Sequence, residues 1–305
     1  MSYTLNLTSS QAGEIISKYH EYSVSHTNNY TLFRAKYKRT VVTIFKTLTL
    51  IVQGANTQEV YNEICGLLDM DKAQETNINS SAAVNLSVVG TDEVGTGDFF
   101  GPIVVVGAFV PKNKILNLMK LGVKDSKSIN DSKIMQLAPR LMKEIKYSAL
   151  VMDNVKYNYL TKVHNFNMNK IKALLHNNVI YNLLPKISDY DAIIIDGFTN
   201  KDKYFDYLKD QEHIITNVQL EEQGESKYIS VATASIIARY LFLVNFEKLS
   251  EMVGFELPKG AGPKVDLAII KIIKEQSERY LELVGKTNFK NLEKMKKKDN
   301  HLAKS

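Results

Sequence analysis

The chain has 305 residues, 44% of them apolar, which is ample for a packed core and excludes wholesale disorder. Its net charge of +6 suits a polyanionic partner. One cysteine, Cys65, excludes an intramolecular disulfide and fits a reducing compartment. No signal sequence and no long uninterrupted apolar run stands out, so the chain reads as a soluble cytoplasmic protein with no membrane partner.

Residues 3–8 alternate as a strand does, and residues 10–22 have helical spacing with Ser9 or Ser10 as N-cap. Residues 30–38, 39–46 and 48–53 are rich in β-branched and aromatic side chains and predict a meander of strands. A helix is expected over 57–68. Arg34, Lys36, Lys38, Arg39 and Lys46 fall within thirteen residues that contain no acid. Period-two alternation places Arg34, Lys36 and Lys38 on one strand face, opposite Phe33, Ala35 and Tyr37. Such a face either meets a nucleic acid or is merely solvated. Polar residues then predict a linker over 70–84, which leaves an N-terminal domain at 1–69.

Beyond the linker a strand-led α/β pattern fills 85–292, and a basic tail occupies 293–305. Residues 84–92 and 103–111 read as strands around a glycine turn. Helices are expected over 131–144, 156–163 and 167–184, then a buried strand at 191–196 and a short one at 213–220. Two further helices are expected over 230–249 and 266–282.

The glycine turn carries the densest chemical signal, Gly90-Thr91-Asp92-Glu93-Val94-Gly95-Thr96-Gly97-Asp98-Phe99-Phe100-Gly101-Pro102. Adjacent carboxylates can hold a hard cation, and glycines let a polyanion approach the main chain. The pattern is neither a dinucleotide fingerprint nor a P-loop. Successive strand residues face opposite ways, so for Asp92 and Glu93 to share a site the strand is expected to end or bulge at Glu93. Asp196 ends an apolar strand, where open α/β sheets place catalytic groups. Glu225 precedes a helix whose Ala232, Ala234, Ser235 and Ala238 would let it lie close against a sheet. Asp98 is a rival acid. Six histidines without paired ligand spacing, and a single cysteine, do not fit zinc.

The segment 92–102 resembles the signature of bacterial ribonuclease HIII, within the ribonuclease HII/HIII family. Four further segments keep the family's order: Val123-Lys124-Asp125-Ser126-Lys127, the run from Asn167 to Asn177, Glu225-Ser226 with the following Ala-Ser-Ile-Ile-Ala-Arg, and Leu257-Pro258-Lys259-Gly260-Ala261-Gly262. The N-terminal region resembles that family's extra domain, similar in fold to the TATA-box-binding protein. The resemblance implies a ribonuclease H-like mixed sheet flanked by helices, with a small N-terminal α+β domain that binds substrate. It implies catalytic and metal-binding roles for Asp92, Glu93, Asp196 and Glu225, with two Mg²⁺ or Mn²⁺ ions. It also implies substrate contacts at Gly95, Thr96, Gly97, Ser126 and Lys127; the basic residues of the N-terminal domain, Arg34, Lys36, Lys38 and Arg39, would add phosphate affinity without base specificity. The implied reaction cleaves the RNA strand of an RNA–DNA hybrid, leaving 5′-phosphate and 3′-hydroxyl ends, by a monomer needing no protein partner. Ribonuclease HII relatives carry Arg where Thr96 stands, and nicking at single embedded ribonucleotides is the alternative. A non-catalytic nucleic-acid binder and a small-molecule phosphatase are more distant ones. Where the family often shows Lys-x-His-Phe, this chain has Lys286-Thr287-Asn288-Phe289.

Overall fold

The computed structural model of the protein describes residues 2–25, 31–46, 48–68, 86–123 and 129–292. The expected linker and basic tail lie outside them. The chain divides into two compact units, 1–85 and 86–305.

The first unit runs β1 (Ser2–Asn6), α1 (Ser9–Tyr19), β2 (Thr31–Tyr37), β3 (Thr40–Phe45), β4 (Thr49–Gly54) and α2 (Thr57–Leu67). The strands form an antiparallel sheet in the order β1-β4-β3-β2. Ile15 and Tyr19 of α1 and Val60 and Ile64 of α2 pack on Phe33, Ala35, Val42, Ile44, Leu50 and Val52, so both helices cover one face. The N-cap is Thr8 rather than Ser9 or Ser10. Its hydroxyl accepts from the Gln11 N–H at 3.2 Å, and the Gln11 side chain accepts from the Thr8 N–H at 2.9 Å. This reciprocal box satisfies two helix donors at once, which neither serine does.

Arg34 and Lys36 lie on the face of β2 away from that core. Lys38 does not join them. Lys38 and Arg39 both have positive φ, 46° and 57°, and form the two-residue turn between β2 and β3. That turn type matches the twist of the strands it joins, and it releases Lys38 from the strand's alternation. Its Nζ reaches Glu59 at 2.5 Å and Glu63 at 2.6 Å on α2.

The second unit runs β5 (Val88–Val94), β6 (Ile103–Val110), α3 (Ile115–Lys120), α4 (Asp131–Glu144), β7 (Lys146–Met152), α5 (Asn154–Val163) and α6 (Met168–Leu183). It continues through β8 (Ala192–Asp196), α7 (Lys201–Leu208), β9 (Val218–Glu221), α8 (Gly224–Lys227), α9 (Ile229–Val253), α10 (Pro263–Glu275) and α11 (Glu278–Val284). The sheet order is β7-β6-β5-β8-β9. β5, β6 and β7 are antiparallel neighbours, whereas β8 and β9 run parallel to β5. All eight residues of β6 are buried, because α6 covers one face of the sheet and α9 the other. The single helix expected over 266–282 is two helices. Ser277 interrupts it by accepting the Tyr280 N–H at 3.2 Å, a local side-chain bond that starts α11.

By length and composition α9, with a stretch of mean hydropathy 1.6, is long enough to cross a membrane. Here it is the central core helix: Ser230 through Ala234, Ile236, Ile237 and Ala238 are buried. Arg239 pairs with Asp131 on α4 at 2.6 Å. The close approach of α9 needs a glycine on the strand beneath. A Cβ on Gly90 would stand 2.5 Å from the Ser230 carbonyl carbon, which is backbone and cannot move aside. Gly90→Ala is expected to destabilise the protein by about 3 kcal/mol in urea unfolding, as overpacking against fixed backbone does.

Candidate active site

β5 pairs with β6 without interruption from Val88↔Val110 to Val94↔Val104, so there is no break or bulge at Glu93. The strand stays regular and its alternation holds. Gly90 and Asp92 face α9. Thr91 and Glu93 face α6, where His176 joins them: its Nδ1 lies 2.7 Å from Thr91 Oγ1 and its Nε2 2.9 Å from Glu93 Oε2. A carboxylate only accepts, so Nε2 carries a proton and donates. Lys172, one helical turn earlier, is ion-paired with Glu93 Oε1. The expected bulge is unnecessary because β8 stops at Asp196. The last β5–β8 pair is Thr91↔Ile195, and beyond it β5 runs on with no described strand on that side. The two faces of β5 therefore meet around the lip of the sheet.

The next step of that parallel register sets Asp92 beside Asp196, both facing α9 and α8. Asp196 Oδ1 accepts the Gly224 N–H at 2.7 Å, which draws the start of α8 over the strand end. The Glu225 side chain, 6% exposed, hydrogen-bonds Asp196. Asp92 Oδ1 accepts the Glu93 N–H at 2.7 Å, and its carboxyl also bonds the Ser235 side chain of α9.

Charge is unevenly compensated across this lip. Burial, then the charges of Glu93 and Asp196, push Asp92 well above the ordinary carboxylate range. Burial also raises Asp196, to about 6; the Gly224 N–H opposes this, and Glu225 and Glu93 add to it. Glu93 behaves oppositely. Burial acts to raise it, but His176 and Lys172 outweigh burial and hold it below its usual value.

The glycine turn follows. Gly95 has φ 95°, and a Cβ there would stand 3.0 Å from the Phe242 ring, so its glycine answers to conformation and packing. Gly97 is exposed with open space around it, and Thr96 is half-buried. Asp98 has a structural partner: its Oδ1 accepts the Gly260 N–H at 2.6 Å and ties the turn to the loop before α10. Lys286, fully buried, donates from Nζ to the carbonyls of Asp98 at 2.8 Å and Gly101 at 2.6 Å. Burial pulls its ammonium down to about 7, against the charge of Asp98. Asn288, at the position where the family often has histidine, accepts the Tyr157 hydroxyl at 3.0 Å.

Comparison with known proteins agrees with this architecture. The family model for Ribonuclease HII matches residues 89–292, and one described as a domain of unknown function (DUF3378) matches residues 3–65. Ribonuclease HIII of Streptococcus mutans is 38% identical over 96% of this chain and 97% of its own length. Ribonuclease HIII of Bacillus mycoides is 40% identical over 86% of this chain and 87% of its own. A crystal structure of Bst-RNase HIII in complex with Mn²⁺ superposes with a TM-score of 0.69 at 37% identity, covering 96% of this chain and 97% of that one.

The chain belongs to the ribonuclease HIII family. It is accordingly a ribonuclease H, a hydrolase, and its mixed sheet flanked by helices is the family's fold.

Of the residues expected at the site of this ribonuclease H, the structure brings together Asp92, Glu93, Asp196 and Glu225. Ser126 and Lys127 lie outside the described residues. Arg34, Lys36, Lys38 and Arg39 belong to the first unit, and Lys38 is spent on Glu59 and Glu63. Sequence reasoning missed Lys172 as a partner of Glu93 and treated His176 only as part of a matching segment. Their spacing of four among buried apolar residues of α6 signals that both point inward, but not that they meet Glu93. Carboxylate oxygens alone suit a hard divalent cation, and the repulsion among them is what such a cation would relieve. No three His, Cys, Asp or Glu side chains among the described residues already enclose a point where an ion could sit. Glu93 is turned to Lys172 and His176.

Between the ordinary value of 3.8 and about 6, folded Asp196 keeps a proton that the unfolded chain has released. Stability therefore falls as pH rises through that window. Asp196→Asn should raise the melting temperature in chelator above pH 6 by about 2–4 °C, allowing for partial exposure of the group. The gap from wild type should close as pH falls toward 4; thermal melts across the range check this.

Proposed function

We propose that the protein is an endoribonuclease that cleaves the RNA strand of RNA–DNA hybrids by two-metal-ion hydrolysis, leaving 5′-phosphate and 3′-hydroxyl ends. The observation that carries this is the gathering of Asp92, Asp196 and Glu225 on one face at the strand ends, where burial, with repulsion added to it, raises two of them. Asp92, Glu93, Asp196 and Glu225 would hold the cations, Mg²⁺ or Mn²⁺. When bound, these would supply an activated water and neutralise charge at the departing 3′-oxygen. The Mn²⁺ complex of Bst-RNase HIII supports a divalent cofactor.

The chain's own residues supply placement. His176 orients Glu93 through Nε2 and is itself fixed by Thr91. Lys286 and Asp98 clamp the turn at 95–101 from beneath. The exposed main chain at Gly97, beside Thr96, is then free to read the 2′-hydroxyl, the group that separates RNA from DNA. Residues 1–69 would add sequence-independent phosphate affinity through Arg34 and Lys36, which share one sheet face, and through Arg39 at its turn. Lys38 contributes less, since two carboxylates already hold it. The lone cysteine supports a reducing, cytoplasmic setting.

Asp92→Asn and Asp196→Asn are each expected to abolish cleavage of a long hybrid while its dissociation constant stays near wild type. Wild-type turnover in either variant would remove the assignment. A duplex with one embedded ribonucleotide, assayed alongside, should be the poorer substrate; equal rates would favour the ribonucleotide-nicking alternative. Arg34→Ala with Lys36→Ala should weaken hybrid binding and reduce the slope of log K against log salt by about 2, since each side chain neutralises one phosphate. A salt titration by fluorescence anisotropy measures it.

A further inference from the structure

Lys172 is out of place for a lysine. It is 8% exposed, on the buried side of α6. Its ammonium is ion-paired with Glu93 Oε1 and stands 4.1 Å from the centroid of the Phe198 ring. His176 takes the other oxygen of Glu93 at 2.9 Å. Both oxygens of one acid are therefore committed to cationic or N–H donors. Across the lip, Asp92 and Asp196 are served by a hydroxyl, two backbone N–H groups and another acid, with no ion-pair partner among the described residues.

Among the described residues, the one lysine ammonium ion-paired with any of these four acids is that of Lys172, and it sits on Glu93. A divalent cation drawn to Asp92 and Asp196 must share Glu93 with this ammonium or displace it. It also feels the ammonium's repulsion at close range in a poorly solvated place. Displacement does not strand the lysine. The face of Phe198 still offers a cation–π contact. Phe198 also lines a cleft of about 680 Å³, with Asn200, Lys201 and Gln219, at the ends of β8 and β9.

We propose that Lys172 is a built-in counter-ion that competes with the divalent cation for Glu93 and so sets the metal affinity of the site. This rests on the assignment of the four acids as metal ligands. A lysine that only held Glu93 in position would act with the opposite sign. Its removal would loosen a ligand and weaken metal binding, whereas removal of a competitor strengthens it.

The test is calorimetric titration of the full-length protein with Mn²⁺ alone, at pH 8 and without nucleic acid. Lys172→Met and Lys172→Gln should each bind Mn²⁺ about tenfold more tightly than wild type, the effect of about 1.4 kcal/mol of competition removed. Lys172→Arg, which keeps the charge, should stay within about twofold of wild type. Unchanged or weaker binding in the Met and Gln variants, or equal tightening in the Arg variant, overturns the proposal. Melts in chelator show which variants fold; if Lys172→Met does not, Lys172→Gln decides. Asp92→Asn separates the two levels of argument. It should lose Mn²⁺ binding, and if its titration matches wild type the metal-site assignment fails, whatever Lys172 does.

Discussion

Like charge crowded at the lip of one sheet is the constraint on which the rest of the second unit turns. Asp92 and Asp196 lie side by side because β5 and β8 are parallel and in register, and Glu225 closes on them because the Asp196 carboxylate draws in the Gly224 N–H. Folding alone gains nothing from this arrangement. Buried carboxylates without cations are a cost that the core must offset. The core does so with a strand buried over its whole length, β6, and with a long apolar helix laid directly on Gly90. A site held at this expense against its own repulsion is the usual mark of chemistry at strand ends.

The glycine turn beside the acids is held from distant parts of the chain. Asp98 bonds Gly260, Lys286 caps two carbonyls of the turn, and Phe100 bridges to Gly285. The segment after α9 is therefore not an appendage to the sheet. It is the floor under the turn, and the buried Lys286 shows how firmly: an ammonium is desolvated there, far below its usual value, to fix two carbonyl groups. Asn288 in place of a histidine fits the same structural role, since it accepts from Tyr157 on α5.

Much of this was legible from residues alone, for reasons that differ by element. The acids at 92 and 196 stood out because each ends an apolar run, and the small residues of α9 announced a close helix–sheet contact. What escaped depended on contacts remote in sequence. The strand β7 follows directly on α4 and has only one fully buried residue, so its pattern is weak. Ser277 has the spacing of a helix-interior residue, and only its side chain's bond to the Tyr280 N–H marks it as the cap of α11. Lys38 sat in the right phase for a strand face, but the left-handed turn took it out of phase and delivered it to α2. Lys172 and His176 were invisible as partners of Glu93 because nothing in α6 states which strand it covers.

The two adjacent acids show how a sound local rule led to a wrong local structure. Alternation does send Asp92 and Glu93 to opposite faces, and from alternation alone a shared site asks the strand to end or bulge at Glu93, whereas its pairing with β6 runs on to Val94. β8 stops at Asp196, so β5 overhangs it, and the sheet has a rim rather than a continuous surface at Glu93. At such a rim opposite faces of a strand can serve one site without a bulge. The division also lets the protein treat the two acids differently: Asp92 is left among other carboxylates, while Glu93 is given Lys172 and His176. One pair of neighbouring residues thereby holds both an acid with no ion-pair partner among the described residues and an acid with a lysine and a histidine against it.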